Sequence, residues 1–143
     1  MPQPLADGSF TVTLAGGGHP SALAVRVGGR VEPISTAGGQ LVGMLPNPQF
    51  VQTTTRLSPG ESLLLYTDGL TEARTPEGTM LDEDGLTQHL LSTYVHAEDR
   101  SADGLLGSVE ALLHRLGDGV SDDTALLALS VPVQSEPRTQ EKR

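Results

Sequence analysis

The stretch "LLLYTDGLTEA", residues 63–73, runs three leucines and a tyrosine straight into Asp68 and Gly69. It is the most hydrophobic segment of the chain to end in a charge, and its reading decides the fold. Four consecutive apolar or aromatic positions do not alternate, so one face cannot be in water while the other is buried. A short continuous run bounded by turn residues suits a central strand buried on both faces, with a buried helical segment as the competing reading. "SPGES" precedes it, and Pro59 and Gly60 supply the restricted and the permissive backbone of a turn. Asp68 therefore sits at the lip of a buried element, where a carboxylate needs water, a hydrogen-bond donor or a cation.

Working outward, the residues before this run read as β structure. Phe10, Val12 and Leu14 alternate with Thr11 and Thr13, the period of a half-buried strand. Leu23, Val25 and Val27 lead to Gly28-Gly29 and then Val31, a hairpin signal because tight turns favour residues at positive φ. Pro33 lacks an N–H for a ladder, which makes the second arm an edge strand. Residues 50–57, "FVQTTTRL", form another β-branched run. After the opening stretch come two helical patterns. Leu86, Leu90, Leu91 and Tyr94 share one face; Ala102, Leu105, Leu106, Val109, Leu112, Leu113 and Leu116 share another, between Ser101 as N-cap and Gly117 as stop. "TALLALSV", residues 124–131, repeats the pattern of a strand buried on both faces. The order predicts an α+β fold, an antiparallel sheet with helices on one face.

Composition narrows the function. The chain has 143 residues, enough for one core, with 9 basic against 18 acidic residues and a net charge of −9. That field repels nucleic-acid backbones and anionic membranes, and no basic patch offsets it. With no cysteine, disulfides, thiolate metal sites and a cysteine nucleophile are excluded. No stretch approaches the ~18–20 apolar residues of a membrane span, and "MPQPLADGSF" has neither a basic region nor an apolar core of a secretory signal. The expected location is the cytoplasm.

The candidate chemistry rests on carboxylates. Asp68 follows one apolar run, and "SDDT", with Asp122 and Asp123, opens the other. Were the two strands antiparallel neighbours, the end of one would lie beside the start of the next and the three acids would converge. Clustered carboxylates raise one another's pKa unless a cation neutralises them, and hard oxygen donors select Mg²⁺, Mn²⁺ or Ca²⁺. Gly69 would let the backbone turn sharply and leave room beside a ligand. The alternative, in which these aspartates are ordinary turn residues, stays open on spacing alone.

Other motifs lead nowhere. "DEDG", residues 82–85, places its glycine too early for a calcium loop and has Thr93 where the bidentate Glu belongs, so it reads as a helix N-terminus. "AGGGH" lacks the lysine of a phosphate-binding loop. His19, His89, His96 and His114 form no paired-ligand spacing; His89 and His114 are expected to face solvent from their helices, and His19 to serve a Gly-Gly-His-Pro turn.

"LAGGGHPSALAV", "GG…LVGML", "LSPGESLLLYTDGLTEAR" and "SDDTALLALSV" together resemble, in order and spacing, the SpoIIE-like branch of the metal-dependent (PPM, type 2C) protein serine/threonine phosphatases. The likeness covers about residues 8–132, with 133–143 a polar, disordered tail. It implies a β-sandwich of antiparallel sheets flanked by helices. It implies that Asp68 and Asp122 are metal ligands, Asp123 the second choice beside Asp122, with Gly69, His19 and Thr124 in supporting positions. Two Mn²⁺ or Mg²⁺ ions in such enzymes hold a water that attacks the substrate phosphorus, and the substrate class would be a phosphorylated anti-sigma-factor antagonist. The family's Gly-Asp metal motif, in a block before the Gly-His-Pro turn, has no counterpart here. By that resemblance the chain corresponds to the C-terminal ~60% of a phosphatase domain, an N-terminally truncated form. A non-catalytic remnant or regulatory binding module is the rival expectation, and exposed sheet edges would favour a dimer or a complementing chain.

Overall fold

The computed structural model describes residues 2–36, 43–44, 46–47 and 49–133. Most of the Gly38-Gly39 and 41–45 motif lies outside them, as does the tail from Gln134 onward. Two antiparallel sheets face each other. The first orders β1 (Pro2–Pro4), β2 (Phe10–Gly16) and β5 (Val51–Leu57) as β1-β2-β5. The second orders β3 (Ala22–Val25), β4 (Val31–Ile34), β6 (Ser62–Tyr66) and β7 (Leu126–Ser130) as β4-β3-β6-β7. Helices α2 (Asp82–Ser92) and α3 (Ala102–Leu116) cover the outer face of the second sheet.

The lack of alternation in β6 now has its cause. Leu64 and Tyr66 point to the helices, where they join Leu23, Val25, Leu86, Leu90, Tyr94, Leu105 and Val109. Leu63 points to the other sheet, where it joins Val12, Ala22, Ala24, Ile34 and Leu57. One strand thus feeds two cores, and each fully buried leucine contributes ~1.5–3 kcal/mol relative to exposure. The hairpin reading of Gly28-Gly29 holds: both take positive φ (91° and 88°), and Gly29 N–H donates to the Arg26 carbonyl at 3.0 Å. Pro33 lies on an edge strand, as its missing donor requires. Ser101 caps α3 by accepting from Gly104 N at 3.2 Å, and Gly117 ends it at φ 49°.

Two expectations fail. The run at residues 124–131 is not a central strand: β7 is the edge of its sheet, and Leu127 is 55% exposed. Leu126 and Ala128 do pack against the helix-side core, and Leu129 against the core between the sheets. Strand β1, with prolines at both ends, carried no sequence signal.

His89 is the other correction. It is buried rather than solvent-facing. Its position three residues after Leu86 places it on the apolar stripe, against α3. Nε2–H donates to the Ser108 carbonyl at 2.8 Å, and Nδ1 accepts from Arg115 Nη2 at 3.0 Å. This pattern fixes the neutral tautomer. Burial lowers the pKa; the Ser108 bond opposes that shift, and the Arg115 charge adds to it. A depressed folded pKa means that the unfolded chain takes up a proton first. The contribution is complete above the unfolded value near 6.5 and is lost as pH falls through the folded one. Thermal melting between pH 8 and 5 should therefore show a fall in stability below about pH 6.5 that is smaller in His89→Gln. Equal slopes in both proteins would refute the assignment. Among the described residues, no helix is long and apolar enough to cross a membrane.

Candidate functional site

Strand β6 delivers Asp68 to one end of the sandwich. Its neighbour β7 runs antiparallel, with Tyr66 opposite Leu126, so the Asp122–Thr124 segment arrives at that same end. Thr67 joins the two strand ends: its N–H donates to the Ala125 carbonyl at 3.2 Å, and its Oγ1 accepts from Ala125 N at 3.0 Å. The chain does not simply turn after Thr67. Asp68–Thr71 is a one-turn helix, α1, in which the Asp68 carbonyl accepts from Glu72 N at 2.8 Å and Thr71 Oγ1 at 3.3 Å.

Gly69 is needed for a different reason from the one its sequence context suggests. Its φ is not positive. A Cβ there would meet the Asp123 carbonyl oxygen at 2.4 Å and Thr124 Oγ1 at 2.8 Å. The glycine is a contact point: α1 packs directly on the backbone of the Asp-Asp-Thr segment. Thr124 Oγ1 is also 3.5 Å from the Asp122 carbonyl, so its supporting position is structural. Sequence order predicted this meeting of residues 68–69 with 122–124, and the register delivers it.

The carboxylates themselves are exposed and have no cationic partner among the described residues. No hydrogen bond or ion pair engages the Asp68 side chain among the described residues, and Asp122 Oδ1 accepts only from Asp123 N, at 2.8 Å. The ion pairs of the described residues, Arg26 with Glu32 and Glu61, Arg30 with Glu32 and Arg56 with Asp7, lie elsewhere. Asp68 lines a depression with His19, Glu72, Asp82 and Glu83, while Asp122 and Asp123 line a neighbouring one with His114 and Glu110. His19 thus shares a depression with Asp68, beside Gly18, whose φ of 82° gives the turn the sequence predicted. Among the described residues, no three acidic or imidazole side chains are already arranged around one point as a metal site.

The electrostatics of the Asp68 depression went unread in the sequence. Glu72, Asp82 and Glu83 come from α1's end and the start of α2, and only the fold places them beside Asp68. Close to them lies Tyr66, with a buried hydroxyl that finds no partner among the described residues. Burial raises the pKa of that hydroxyl, and the nearby charges of Glu83 and Asp68 raise it further. Asp82 holds a positive φ of 55°, rare for a residue with a side chain, and its Oδ1 accepts from Gly85 N at 2.9 Å. The reading of "DEDG" as a helix start is correct. An apolar cleft of about 290 Å³ adjoins the site, between Leu14 and Ile34 on one side and Leu65 and Leu127 on the other, with His19 at its rim.

The donor set bears on what this end of the molecule can hold. Unpaired carboxylates are hard oxygen donors, suited to Mn²⁺ or Mg²⁺ and unsuited to soft metals. The cradle at Gly69 holds α1 within contact of the Asp-Asp-Thr backbone. The chemistry of the residues fits a divalent cation, and two aspartates supply only part of a coordination sphere.

Comparison with known proteins bears on the family and the fold. The family model of stage II sporulation protein E (SpoIIE) matches residues 5–132. Protein IcfG of Synechocystis is 38% identical over 56 residues, spanning 39% of this chain and 9% of that protein. The phosphatase domain of the cell fate determinant SpoIIE from Bacillus subtilis superposes with a TM-score of 0.61 at 12% identity, covering 95% of this chain and 59% of that one. The RsbU and RsbW domains of Rv1364c from Mycobacterium tuberculosis give 0.63 at 24% identity, covering 90% and 34%. The SiaA-PP2C domain of Pseudomonas aeruginosa gives 0.61 at 21%, covering 85% and 50%. The chain thus spans less than two thirds of each of these proteins, and at these identities the solved structures speak to fold.

Proposed function

The chain belongs to the SpoIIE family and has the PP2C-type phosphatase fold, and from that premise we propose that it serves metal-dependent hydrolysis of phosphoserine or phosphothreonine in a protein substrate. The observation that carries this reading is the contact of Gly69 with Asp123 and Thr124. It holds together, at one end of the sandwich, the two segments whose aspartates have no cationic partner among the described residues.

In this reading Asp68 and Asp122 hold Mn²⁺ or Mg²⁺, and Asp123 is the second candidate beside Asp122. When bound, such ions neutralise developing charge and make water nucleophilic at neutral pH. The chain's own part is to fix the donors. The β6 core holds Asp68 rigidly, Thr67 ties it to Ala125, and Gly69 sets the spacing to Asp122–Thr124. No cysteine is available as an alternative nucleophile. The acidic depression repels a free phosphate dianion until a cation is present, which makes metal a condition for substrate approach. Among relatives, one solved structure couples RsbU and RsbW domains in a single protein. A phosphorylated anti-sigma-factor antagonist is the substrate class that this likeness favours.

The full chain should hydrolyse p-nitrophenyl phosphate and a phosphoserine peptide in millimolar Mn²⁺, and excess chelator should abolish that turnover. Silence with both substrates, together with a melting temperature indifferent to Mn²⁺, would contradict the proposal and favour a regulatory binding module.

A further inference from the structure

Gly69 has a counterpart on the facing segment. Gly119 ends the short 3-10 turn Gly117–Gly119 that follows α3, and it does not take positive φ. A Cβ there would overlap the Arg74 carbonyl oxygen and stand 3.0 Å from its carbon. The Arg74 N–H donates to the Gly119 carbonyl at 2.8 Å. The need for glycine is therefore steric, as at Gly69: two main chains touch.

Arg74 is itself anchored. Ala73 before it is buried, and the Ala73 carbonyl accepts from Leu81 N at 2.8 Å. Arg74 pairs with Met80 across an isolated bridge, and Thr75 N–H donates to the Thr79 carbonyl at 2.8 Å, closing a small hairpin. The Arg74 side chain has a separate partner, the Gly78 carbonyl, at 3.3 Å from Nη1. The contact with Gly119 is thus made by main chain that its own neighbours hold in place. The two glycine contacts follow opposite orders along the two segments: Gly69 meets Asp123 and Thr124, and Arg74 meets Gly119. Asp122 lies between the two points at which its segment is held, and Asp68 adjoins one of the points on the facing segment.

We propose that Gly119 is a positioning residue for Asp122: by admitting the Arg74 main chain, it fixes the spacing of the Asp122 and Asp68 segments from a second side. The inference rests on the proposed metal site and adds to it a residue that touches neither carboxylate. Held at Gly69 alone, the segment could pivot about Asp123 and swing Asp122 with it. A second contact on the other side of Asp122 removes that freedom. Asp122 Oδ1 accepts from Asp123 N at 2.8 Å, so the carboxylate travels with its backbone. Where the main chain is fixed, the ligand is fixed, and metal sites need their donors placed to within about 0.5 Å.

Two measurements on the full chain separate placement from metal binding. In metal-free amide NMR spectra, Gly119→Ala should shift the signals of Gly69, Asp122, Asp123 and Thr124, while those of Gly28 and Gly29 in the hairpin stay in place. Unmoved signals at 122–124 would overturn the proposal whether or not any metal binds. In calorimetric titration, Gly119→Ala should weaken Mn²⁺ binding by at least about tenfold, the scale for residues that orient metal ligands. Arg74→Ala keeps the main-chain contact and should retain wild-type affinity. Leu105→Ala removes a buried side chain at the other end of α3; it should lower the melting temperature and leave Mn²⁺ affinity unchanged. Wild-type affinity in Gly119→Ala, or an equal loss in Arg74→Ala or Leu105→Ala, would overturn the proposal. A wild type that binds no Mn²⁺ would sink the phosphatase reading instead, and the spectra alone would then decide the placement. Should Gly119→Ala not fold, the wild type supplies the test: hydrogen exchange at the Arg74 amide should slow when Mn²⁺ binds. An unchanged rate at saturating Mn²⁺ would overturn it.

Discussion

Replacing Arg26 by methionine is expected to destabilise the chain by about 3–5 kcal/mol, the range for removing one partner of a buried ion pair. Arg26 lies just after β3 in the hairpin and is mostly buried. Its Nε donates to Glu32 Oε2 at 3.0 Å, Nη1 to Glu61 Oε2 at 2.9 Å and to the Arg56 carbonyl at 2.5 Å, and Nη2 to Thr55 Oγ1 at 2.8 Å. Thr55 and Arg56 belong to β5, so one guanidinium fastens the first sheet to the second. Glu61 is itself buried and also receives Ser58 N and Val27 N. Methionine keeps most of the volume but leaves the Glu61 carboxylate and a strand carbonyl without their donor. Lysine should recover little, since an ammonium cannot reproduce a planar fork aimed at four acceptors. Urea unfolding of the wild type, Arg26→Met and Arg26→Lys measures this. A loss below about 1 kcal/mol in Arg26→Met would mean that the sheets are held by their apolar core alone.

This staple stands at the opposite end of β6 from Asp68. The strand is therefore fixed at both ends, by charge at Glu61 and by Thr67 with Ala125, with Leu63 and Leu64 fully buried between. That rigidity is what a metal-binding carboxylate at the lip of the strand requires.

The path from sequence to this picture was uneven for reasons visible in particular residues. Strand β6 was legible because four apolar residues in a row have one economical home, between two cores. The hairpin was legible because Gly28 and Gly29 both need positive φ. β7 misled because its apolar run is the same as that of β6, and nothing local distinguishes a strand covered on both sides from one that ends the sheet. His89 misled because its ring is half apolar: the stripe of Leu86 and Leu90 already contained its position, and only packing against Ser108 and Arg115 supplies its partners. At the candidate site, the meeting of the segment after β6 with the segment before β7 was legible from strand order, while the choice of Asp68 and Asp122 as ligands rested on the family resemblance. Glu72, Asp82 and Glu83 were not legible, because the backbone of α1 and the left-handed Asp82 decide where they sit. Likewise the steric role of Gly69 against Asp123 belongs to the tertiary structure.

In the proposed metal site Asp68 and Asp122 serve one cation together. Each carboxylate lost removes a full charge from beside a divalent ion, and with asparagine the shape is kept. At the effective dielectric of a protein surface this should weaken Mn²⁺ binding by on the order of a hundredfold for either substitution. Ligands of one ion act as a unit, so their effects should not add. The direct measurement is calorimetric titration of Mn²⁺ into the wild type, Asp68→Asn, Asp122→Asn and the double variant, each confirmed as folded by its melting temperature. Each single substitution is expected to remove most of the binding, and the double to lose little more. Wild-type affinity in either single variant, or losses that simply multiply in the double, would contradict it.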